Sequence, residues 1–199
     1  MNINNISVFC ASSTGIDPVY MAEAYKTGKE IARRRKAVVY GGARVGLMGA
    51  VASGAIENGG KVYGVIPEFL KRKELEYVGL TKTYVVETMH QRKAKMEELS
   101  DAIIALPGGF GTMDELFEII TWGQLALHEK PVGLLNIDKF YDPLILFVDS
   151  MICKGFVKPE YKELFIIDSD INSLLDKMEA YKVVFNKNKW FQPATNGKL

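Results

Sequence analysis

The chain has 199 residues, of which 48% are hydrophobic, and a formal net charge of +1, which suits one domain with a single large core. The balanced charges exclude an extended basic field for nucleic acid, and no apolar run approaches the roughly 18 residues that span a membrane. The two cysteines, Cys10 and Cys153, fit no disulfide or metal-ligand pattern, so we expect reduced thiols and a cytoplasmic protein.

Short apolar runs alternate with longer amphipathic segments along most of the chain. Strands are predicted near residues 6–11, 37–40, 61–66, 83–87, 101–106, 132–136 and 164–167. Helices are predicted near residues 18–35, 46–58, 89–99, 112–127, 139–154 and 170–182. The alternation is typical of a single-domain, three-layer α/β sandwich, in which a mostly parallel sheet carries helices on both faces. We expect this domain over residues 1–185, followed by a polar tail over residues 186–199 in which Trp190 and Phe191 pack on the domain or on a partner.

Four unusual loops follow predicted strands, at residues 12–15, 41–49, 89–93 and 107–115. The carboxyl ends of parallel strands lie along one edge of a sheet, and ligands of open parallel sheets bind there, near the point where the strand order reverses. We therefore expect the four loops to surround one ligand site. Candidates for a further part of its pocket are Ser12, Gly41, Gly42 and Met89.

The loop at residues 107–115 reads PGGFGTMDE and joins a predicted strand to a predicted helix. Such a junction exposes backbone N–H groups at the positive end of the helix dipole, where a phosphate binds without help from a lysine. The glycines at residues 41–49 match neither the G-x-G-x-x-G fingerprint nor the Walker pattern. They fit either a close approach of the backbone to a ligand or close packing of the following helix on the sheet.

Arg92 and Glu115 each have a structural and a functional interpretation. Thr112 and Glu115 match the T-x-x-E capping box, which alone would explain the glutamate. Thr88 and Gln91 match the related T-x-x-Q form, so Arg92 follows a capped first turn and could be an exposed helix arginine. However, both residues lie at the starts of helices. These helices follow consecutive strands and leave the same edge of the sheet. If those strands are near neighbours, a guanidinium and a carboxylate face one pocket.

A carboxylate and a guanidinium beside a phosphate-binding loop suit the cleavage of a glycosidic bond. The carboxylate can stabilise an oxocarbenium-like transition state or orient water, and the guanidinium offers a fixed fork to phosphate or carboxylate. These groups predict hydrolysis of a nucleoside monophosphate, with a non-catalytic nucleotide-binding or sensing module as the alternative. His90 and His128 lack the partners of a zinc site and fit polar packing and a helix C-terminus, respectively.

Two motifs, MHQRK at residues 89–93 and PGGFGTMDE at residues 107–115, resemble the Lonely guy (LOG) family of cytokinin riboside 5′-monophosphate phosphoribohydrolases. The likeness extends through ITWGQL at residues 120–125 and KPVGLLN at residues 130–136, and covers the chain from residue 6 to about residue 184. It implies a Rossmann-like sheet and a homodimer with its site beside the dimer interface. The implied reaction releases free base and ribose 5-phosphate from N6-substituted adenosine 5′-monophosphates, or from plain AMP, without an organic cofactor.

The resemblance also implies which residues act. Arg92 and Glu115 are the implied catalytic pair. The implied substrate-binding residues are Glu74, Arg92, Lys93, Gly108, Gly109, Phe110, Gly111, Thr112, Met113, Asp114, Glu115 and Thr121. Phe110 and Asp114 stand where tyrosine and glutamate are common in the family. The missing tyrosine hydroxyl removes a polar contact, while neither change touches the catalytic pair.

Sequences of this kind have also been labelled lysine decarboxylases. That reaction calls for pyridoxal phosphate on a Schiff-base lysine, with a partner for the pyridinium nitrogen. The chain offers no compelling set of such groups. We therefore expect neither this cofactor nor a metal.

Overall fold

The computed structural model describes residues 2–71, 77 and 79–183. Seven strands form one sheet in the order β4-β3-β2-β1-β5-β6-β7, and every pairing is parallel. The strands are β1 Asn5–Phe9, β2 Ala37–Tyr40, β3 Val62–Pro67, β4 Lys82–Val86, β5 Ala102–Ala105, β6 Val132–Leu135 and β7 Ile166–Asp168. All seven predicted strands are therefore confirmed, with ends that differ by a few residues.

The six predicted helices are also present. The helices are α1 Pro18–Arg33, α2 Gly46–Ile56, the short α3 Glu68–Leu70, α4 Met89–Glu98, α5 Phe110–Gln124, α6 Asp142–Cys153 and α7 Ile171–Glu179. Two 3-10 helices, at Ile137–Lys139 and Pro159–Leu164, complete the described elements. The sequence did not predict α3 or the 3-10 helices, because segments of three to six residues are too short to show a helical period.

Two hydrophobic layers cover the two faces of the sheet, which confirms the predicted three-layer sandwich. Side chains alternate between the faces along each strand, so Ile104 packs with α1, α2 and α7 while its neighbour Ile103 packs with α4, α5 and α6. The predicted tail at residues 186–199, with Trp190 and Phe191, lies outside the described residues. The division at residue 185 therefore stays a prediction.

The strand order reverses between β1 and β5. The chain builds β2, β3 and β4 on one side of β1 and then returns to place β5, β6 and β7 on the other side. A crevice at the carboxyl ends of strands opens at such a switch point. The loops after β1 and β5 therefore flank the place where a ligand of this fold binds.

The strands that precede α4 and α5 are not neighbours, contrary to the arrangement considered from the sequence. β4 is an edge strand, and three strands separate it from β5. The two helices nevertheless approach each other because α4 runs back over the sheet and packs against β3. In the described part of the chain, no helix is both long and apolar enough to span a membrane.

Candidate active site

A pocket of about 280 Å³ opens at the switch point. All four predicted loops contribute side chains or backbone to it, and the residue from the second loop, Met48, lies in α2. The lining residues are Cys10, Ala11, Ser12, Ser13, Met48, Arg92, Gly109, Phe110, Gly111, Thr112 and Glu115. The structure thus brings together both members of the predicted catalytic pair and the glycine loop.

The first turn of α5 presents free backbone donors to this pocket. The N-cap of α5 is Gly109, and no side chain caps the helix. The N–H groups from Gly109 to Thr112 precede the first intrahelical bond, which Met113 N donates to the Gly109 carbonyl over 3.0 Å. Uncapped N–H groups at a helix N-terminus attract an anion.

The capping-box interpretation of Glu115 is wrong. Because α5 begins at Phe110, Thr112 lies inside the first turn instead of at the N-cap, and Glu115 lies one turn further along. Gly108 explains why the turn is so tight, since a Cβ atom at this position would lie 2.1 Å from the Thr112 hydroxyl. The carboxylate of Glu115 is therefore available for another partner.

That partner is Arg92. Arg92 Nη1 lies 3.3 Å from Glu115 Oε1, and the two side chains are 11% and 9% exposed, respectively. Arg92 Nε also donates to the Val65 carbonyl at 3.3 Å, which ties the guanidinium to β3. The pair is therefore a nearly buried ion pair at the base of an open pocket.

Two local features place Arg92. The predicted cap at the start of α4 is confirmed, because Gln91 N donates to Thr88 Oγ1 at 3.1 Å and Glu87 N donates to Gln91 Oε1 at 2.8 Å. Gly41 leaves room for the guanidinium, since a Cβ atom there would lie 1.9 Å from Arg92 Nη2. Part of the second glycine loop thus serves the candidate site.

Burial raises the pKa of Glu115 above its usual range, and the charge of Arg92 opposes that rise only in part. Asp114 and Glu118 raise the pKa further, while Lys93 lowers it. The charged carboxylate is therefore less stable than one in water, and it is a stronger base. Such a group can stabilise positive charge that develops beside it or can orient a water molecule.

Cys10 lines the pocket, although the sequence suggested only a structural thiol inside a strand. β1 ends at Phe9, earlier than predicted, so Cys10 falls at the sheet edge. Burial, with a further contribution from Glu115, raises the pKa of the thiol. Cys10 therefore stays protonated and is a poor nucleophile.

Several predicted substrate-binding residues do not line this pocket. Lys93 forms ion pairs with Asp114 and Glu118, each over 3.1 Å. Thr121 is exposed on α5, and its hydroxyl donates to the Phe117 carbonyl at 2.7 Å. The other predicted residues outside the lining are Gly108, which faces a neighbouring apolar recess, Met113, which packs in the core, the exposed Asp114 and Met89, and the glycines Gly41 and Gly42. Glu74 lies outside the described residues.

The two histidines agree with structural interpretations. His128 Nε2 lies 2.8 Å from the Ile119 carbonyl, and Lys130 N donates to its Nδ1 at 3.1 Å. An imidazole that accepts at Nδ1 and donates at Nε2 is neutral, and burial lowers the pKa of His128 accordingly. His90 is exposed on the first turn of α4.

Comparison with known proteins adds the family. The model described as "Possible lysine decarboxylase" matches residues 48–178. A probable cytokinin riboside 5′-monophosphate phosphoribohydrolase of Oryza sativa subsp. japonica, LOGL2, is 45% identical over 190 residues, which cover 93% of this chain and 78% of that protein. The cytokinin riboside 5′-monophosphate phosphoribohydrolase LOG5 of Arabidopsis thaliana is 43% identical over 189 residues, which cover 93% of this chain and 83% of that protein.

Solved structures share the fold at lower identity. The molybdenum cofactor binding protein of Rippkaea orientalis has a TM-score of 0.68 at 23% identity and covers 90% of this chain and 98% of its own. The molybdenum cofactor carrier protein of Chlamydomonas reinhardtii has a TM-score of 0.65 at 20% identity, with coverage of 90% and 100%. These likenesses establish the fold alone. The match to the family model and the identity to the plant phosphoribohydrolases over most of both chains show that this chain belongs to the LOG family.

Proposed function

We propose that the protein hydrolyses the N-glycosidic bond of adenosine 5′-monophosphates, with or without an N6 substituent, and releases the free base and ribose 5-phosphate. The observation that carries this proposal is the buried ion pair of Arg92 and Glu115 at the base of a pocket whose rim is an uncapped helix N-terminus. The names of the plant relatives describe the same reaction class. Anion binding and glycosidic chemistry then share one pocket.

The 5′-phosphate would bind the N–H groups of Gly109, Phe110, Gly111 and Thr112. Glu115 follows Thr112 by three residues, or about 4.5 Å along the helix axis at 1.5 Å per residue. Glu115 is buried whereas Gly109, Phe110 and Gly111 are exposed, so the carboxylate lies deeper in the pocket than these phosphate donors. This is the direction in which a bound ribose would extend towards its anomeric carbon.

Bond cleavage then follows from the charges at the base of the pocket. As the bond between C1′ and the base nitrogen breaks, positive charge develops on the ribose, and the Glu115 carboxylate stabilises it. The same carboxylate orients the water that forms the new C1′–O bond; that water gives up one proton and the departing base nitrogen gains one, so one water molecule is added across the bond. Arg92 holds the carboxylate in place and lowers its pKa, which keeps the charged form available. In this proposal, Arg92 and Glu115 are therefore both catalytic residues.

Lysine decarboxylation, the reaction in the family model's description, has less support. None of the residues that line the described pocket is a lysine, so no Schiff base with pyridoxal phosphate could form at its surface. Lys93 comes nearest in sequence to the catalytic pair, but it is engaged by two carboxylates. We accordingly propose a reaction that needs no organic cofactor and no metal.

We also propose that the protein is a homodimer that works in the cytoplasm. The exposed α5 residue Thr121 lies nine residues beyond Thr112, about 13.5 Å along the helix axis, which places it to contact a substrate in a second copy's pocket. Phe117, Leu125 and Leu127 are exposed in the same region and offer an apolar surface for that copy. The free thiols Cys10 and Cys153 suit a reducing compartment.

Light scattering of the purified protein tests the dimer. We expect twice the chain mass for the wild type and a single chain mass for Leu125→Arg, because a charge at an apolar interface opposes association. Lys154→Ala, a change on α6's exposed C-cap, is the control and leaves the mass unchanged. A monomeric wild type would contradict the dimer but not the reaction.

Product analysis tests the reaction itself. Purified protein is incubated with AMP and with its N6-isopentenyl analogue, and the free base is separated by chromatography. We expect free base and ribose 5-phosphate in equal amounts. Tight nucleotide binding without either product would instead support a non-catalytic binding or sensing module.

A further inference from the structure

Lys93 lies between two carboxylates of the neighbouring helix. Its Nζ is 3.1 Å from Asp114 Oδ2 and 3.1 Å from Glu118 Oε2. The two acids are four residues apart on α5, so they share one helix face. The Lys93 side chain is only 10% exposed. This cluster of three charged side chains therefore joins α4 to α5.

The cluster lies beside the ion pair of Arg92 and Glu115. Arg92 and Lys93 are consecutive on α4, and their partners Glu115 and Asp114 are consecutive on α5, so two adjacent ion pairs cross the same two helices. Arg92 and Glu115 line the described pocket, whereas Lys93, Asp114 and Glu118 do not. The cluster can therefore act on a bound substrate only through its neighbours.

The two acids do not contribute equally. Asp114 is 63% exposed, and an ion pair so open to water contributes little stability. Glu118 is 28% exposed and pairs with the nearly buried Lys93 nitrogen. Solvent screens that pair much less. Glu118 is therefore the less exposed partner of Lys93, while Asp114 accepts a hydrogen bond from Lys93 Nζ at 3.1 Å.

We propose that Lys93 and Glu118 are positioning residues, whose ion pair holds α4 against α5 so that Arg92 and Glu115 keep their contact inside the pocket. This inference rests on the glycosidic hydrolysis proposed above. It gives Lys93 a role behind the pocket instead of beside the substrate, and it gives Glu118 a role that the motifs did not indicate. Without the ion pair, the carboxylate and the guanidinium lose their fixed separation.

The cluster also sets the charge around Glu115. The groups that face its carboxylate are Arg92 and Lys93 on α4, Asp114 and Glu118 on α5, and the Cys10 thiol after β1. Burial is the largest influence and raises the pKa of Glu115; Lys93 lowers it, and Glu118 raises it. Neutralising Lys93 will therefore raise the pKa of Glu115 and neutralising Glu118 will lower it. Shifts of opposite sign would show that the charges of the cluster act on Glu115, whereas the positioning role is measured by kinetics.

Kinetics of Lys93→Met and Glu118→Gln test the positioning role. We expect kcat to fall about tenfold in each, with KM changed less than about twofold, because the interaction lost acts mainly in the transition state. Lys93→Arg keeps the charge and restores most of kcat. Lys95→Met is the matched control, because Lys95 pairs with Glu98 on its own helix at 2.9 Å. A raised KM with unchanged kcat in Lys93→Met would overturn the proposal, since it would mean that Lys93 holds substrate directly.

A titration that needs no substrate separates this proposal from the reaction. The side-chain carboxyl signal of Glu115 is followed by NMR in protein with ¹³C-labelled glutamate and is assigned by its loss in Glu115→Gln. We expect its midpoint to move up by about 0.5 pH unit in Lys93→Met and down by a similar amount in Glu118→Gln. Equal midpoints in wild type and both variants would overturn the cluster's role even if the enzyme is active. If the two variants show these shifts but the wild type releases no base, the hydrolysis alone is refuted.

Discussion

Glu115 carries a charge in a place where charge is costly. Burial raises its pKa, and the nearby Arg92 offsets only part of that effect. A raised pKa means that the folded protein favours the neutral carboxyl group more than the unfolded chain does. The ionised form therefore reduces stability near neutral pH, where the proposed reaction needs it.

Replacing Glu115 by glutamine should stabilise the fold while removing activity. At pH 7 we expect Glu115→Gln to melt about 2 °C higher than wild type, because the amide resembles the neutral carboxyl group that the folded state prefers. Below the usual pKa of 4.5, wild-type Glu115 is protonated in both states, so the difference should vanish. Calorimetry at the two pH values checks the sign. A variant that melts lower than wild type at pH 7 would show that Arg92 stabilises the carboxylate more than burial opposes it.

Gly41 offers a second test at the scale of one residue. In Gly41→Ala the added methyl would lie 1.9 Å from Arg92 Nη2 and must displace the guanidinium from its place beside Glu115. We expect the rate of base release to fall at least about tenfold, because a misplaced catalytic group loses transition-state stabilisation. Circular dichroism should show a folded protein, since the clash involves the end of a long side chain. Full activity would mean that the guanidinium's position is not critical.

The sequence alone could not decide the role of Glu115. The T-x-x-E pattern fits a capping box, and nothing in the sequence indicates that the helix begins at Phe110 instead of Thr112. Gly108 permits the tight approach of the loop to Thr112. The residue at which α5 begins is visible only in the structure, whereas the family motif predicted Arg92 and Glu115 as a pair directly.

At the scale of elements, α1 and α2 pack closely against each other on one face of the sheet. A Cβ atom on Gly28 of α1 would lie 1.9 Å from the Val51 carbonyl oxygen, and one on Gly54 of α2 would lie 2.0 Å from the Tyr25 carbonyl oxygen. The helices therefore meet backbone to backbone at two glycines.

Gly28→Ala should destabilise the protein by about 1–3 kcal/mol, because the added methyl overpacks a contact between rigid backbones. Gly123→Ala on α5 is the matched comparison, since its Cβ atom would meet side-chain atoms and no backbone, the nearest being the His128 ring at 3.3 Å and Leu164 at 3.5 Å. That change should be neutral or slightly stabilising, because alanine favours a helix by up to about 1 kcal/mol over glycine. Urea denaturation of both variants checks the contrast. Equal stabilities would contradict the packing argument.

The elements themselves were predictable, but one neighbour relation was not. The strands are short apolar runs and the main helices show a clear period, so the seven strands and six long helices could be located. The sequence does not state that β4 becomes an edge strand while α4 returns over β3. Arg92 reaches Glu115 because of that return, not because β4 and β5 are adjacent.

At the scale of the whole molecule, the site depends on the reversal of strand order. The loops after β1 and β5 meet only because the chain changes direction between them, and α4, which follows the edge strand β4, adds Arg92. The rule that ligands bind at the carboxyl edge predicted this meeting of loops from the alternating pattern. The cluster of Lys93, Asp114 and Glu118 could not be predicted, because it depends on the relative rotation of two helices.

The most direct measurement of the central claim compares binding and turnover in one variant. Wild type and Glu115→Gln are given AMP, nucleotide binding is measured by calorimetry, and adenine release is followed under single-turnover conditions. We expect Glu115→Gln to bind AMP within about threefold of wild type, since the phosphate donors are unchanged, but to release adenine at least about a hundredfold more slowly. Equal rates of adenine release in the two proteins would contradict the account.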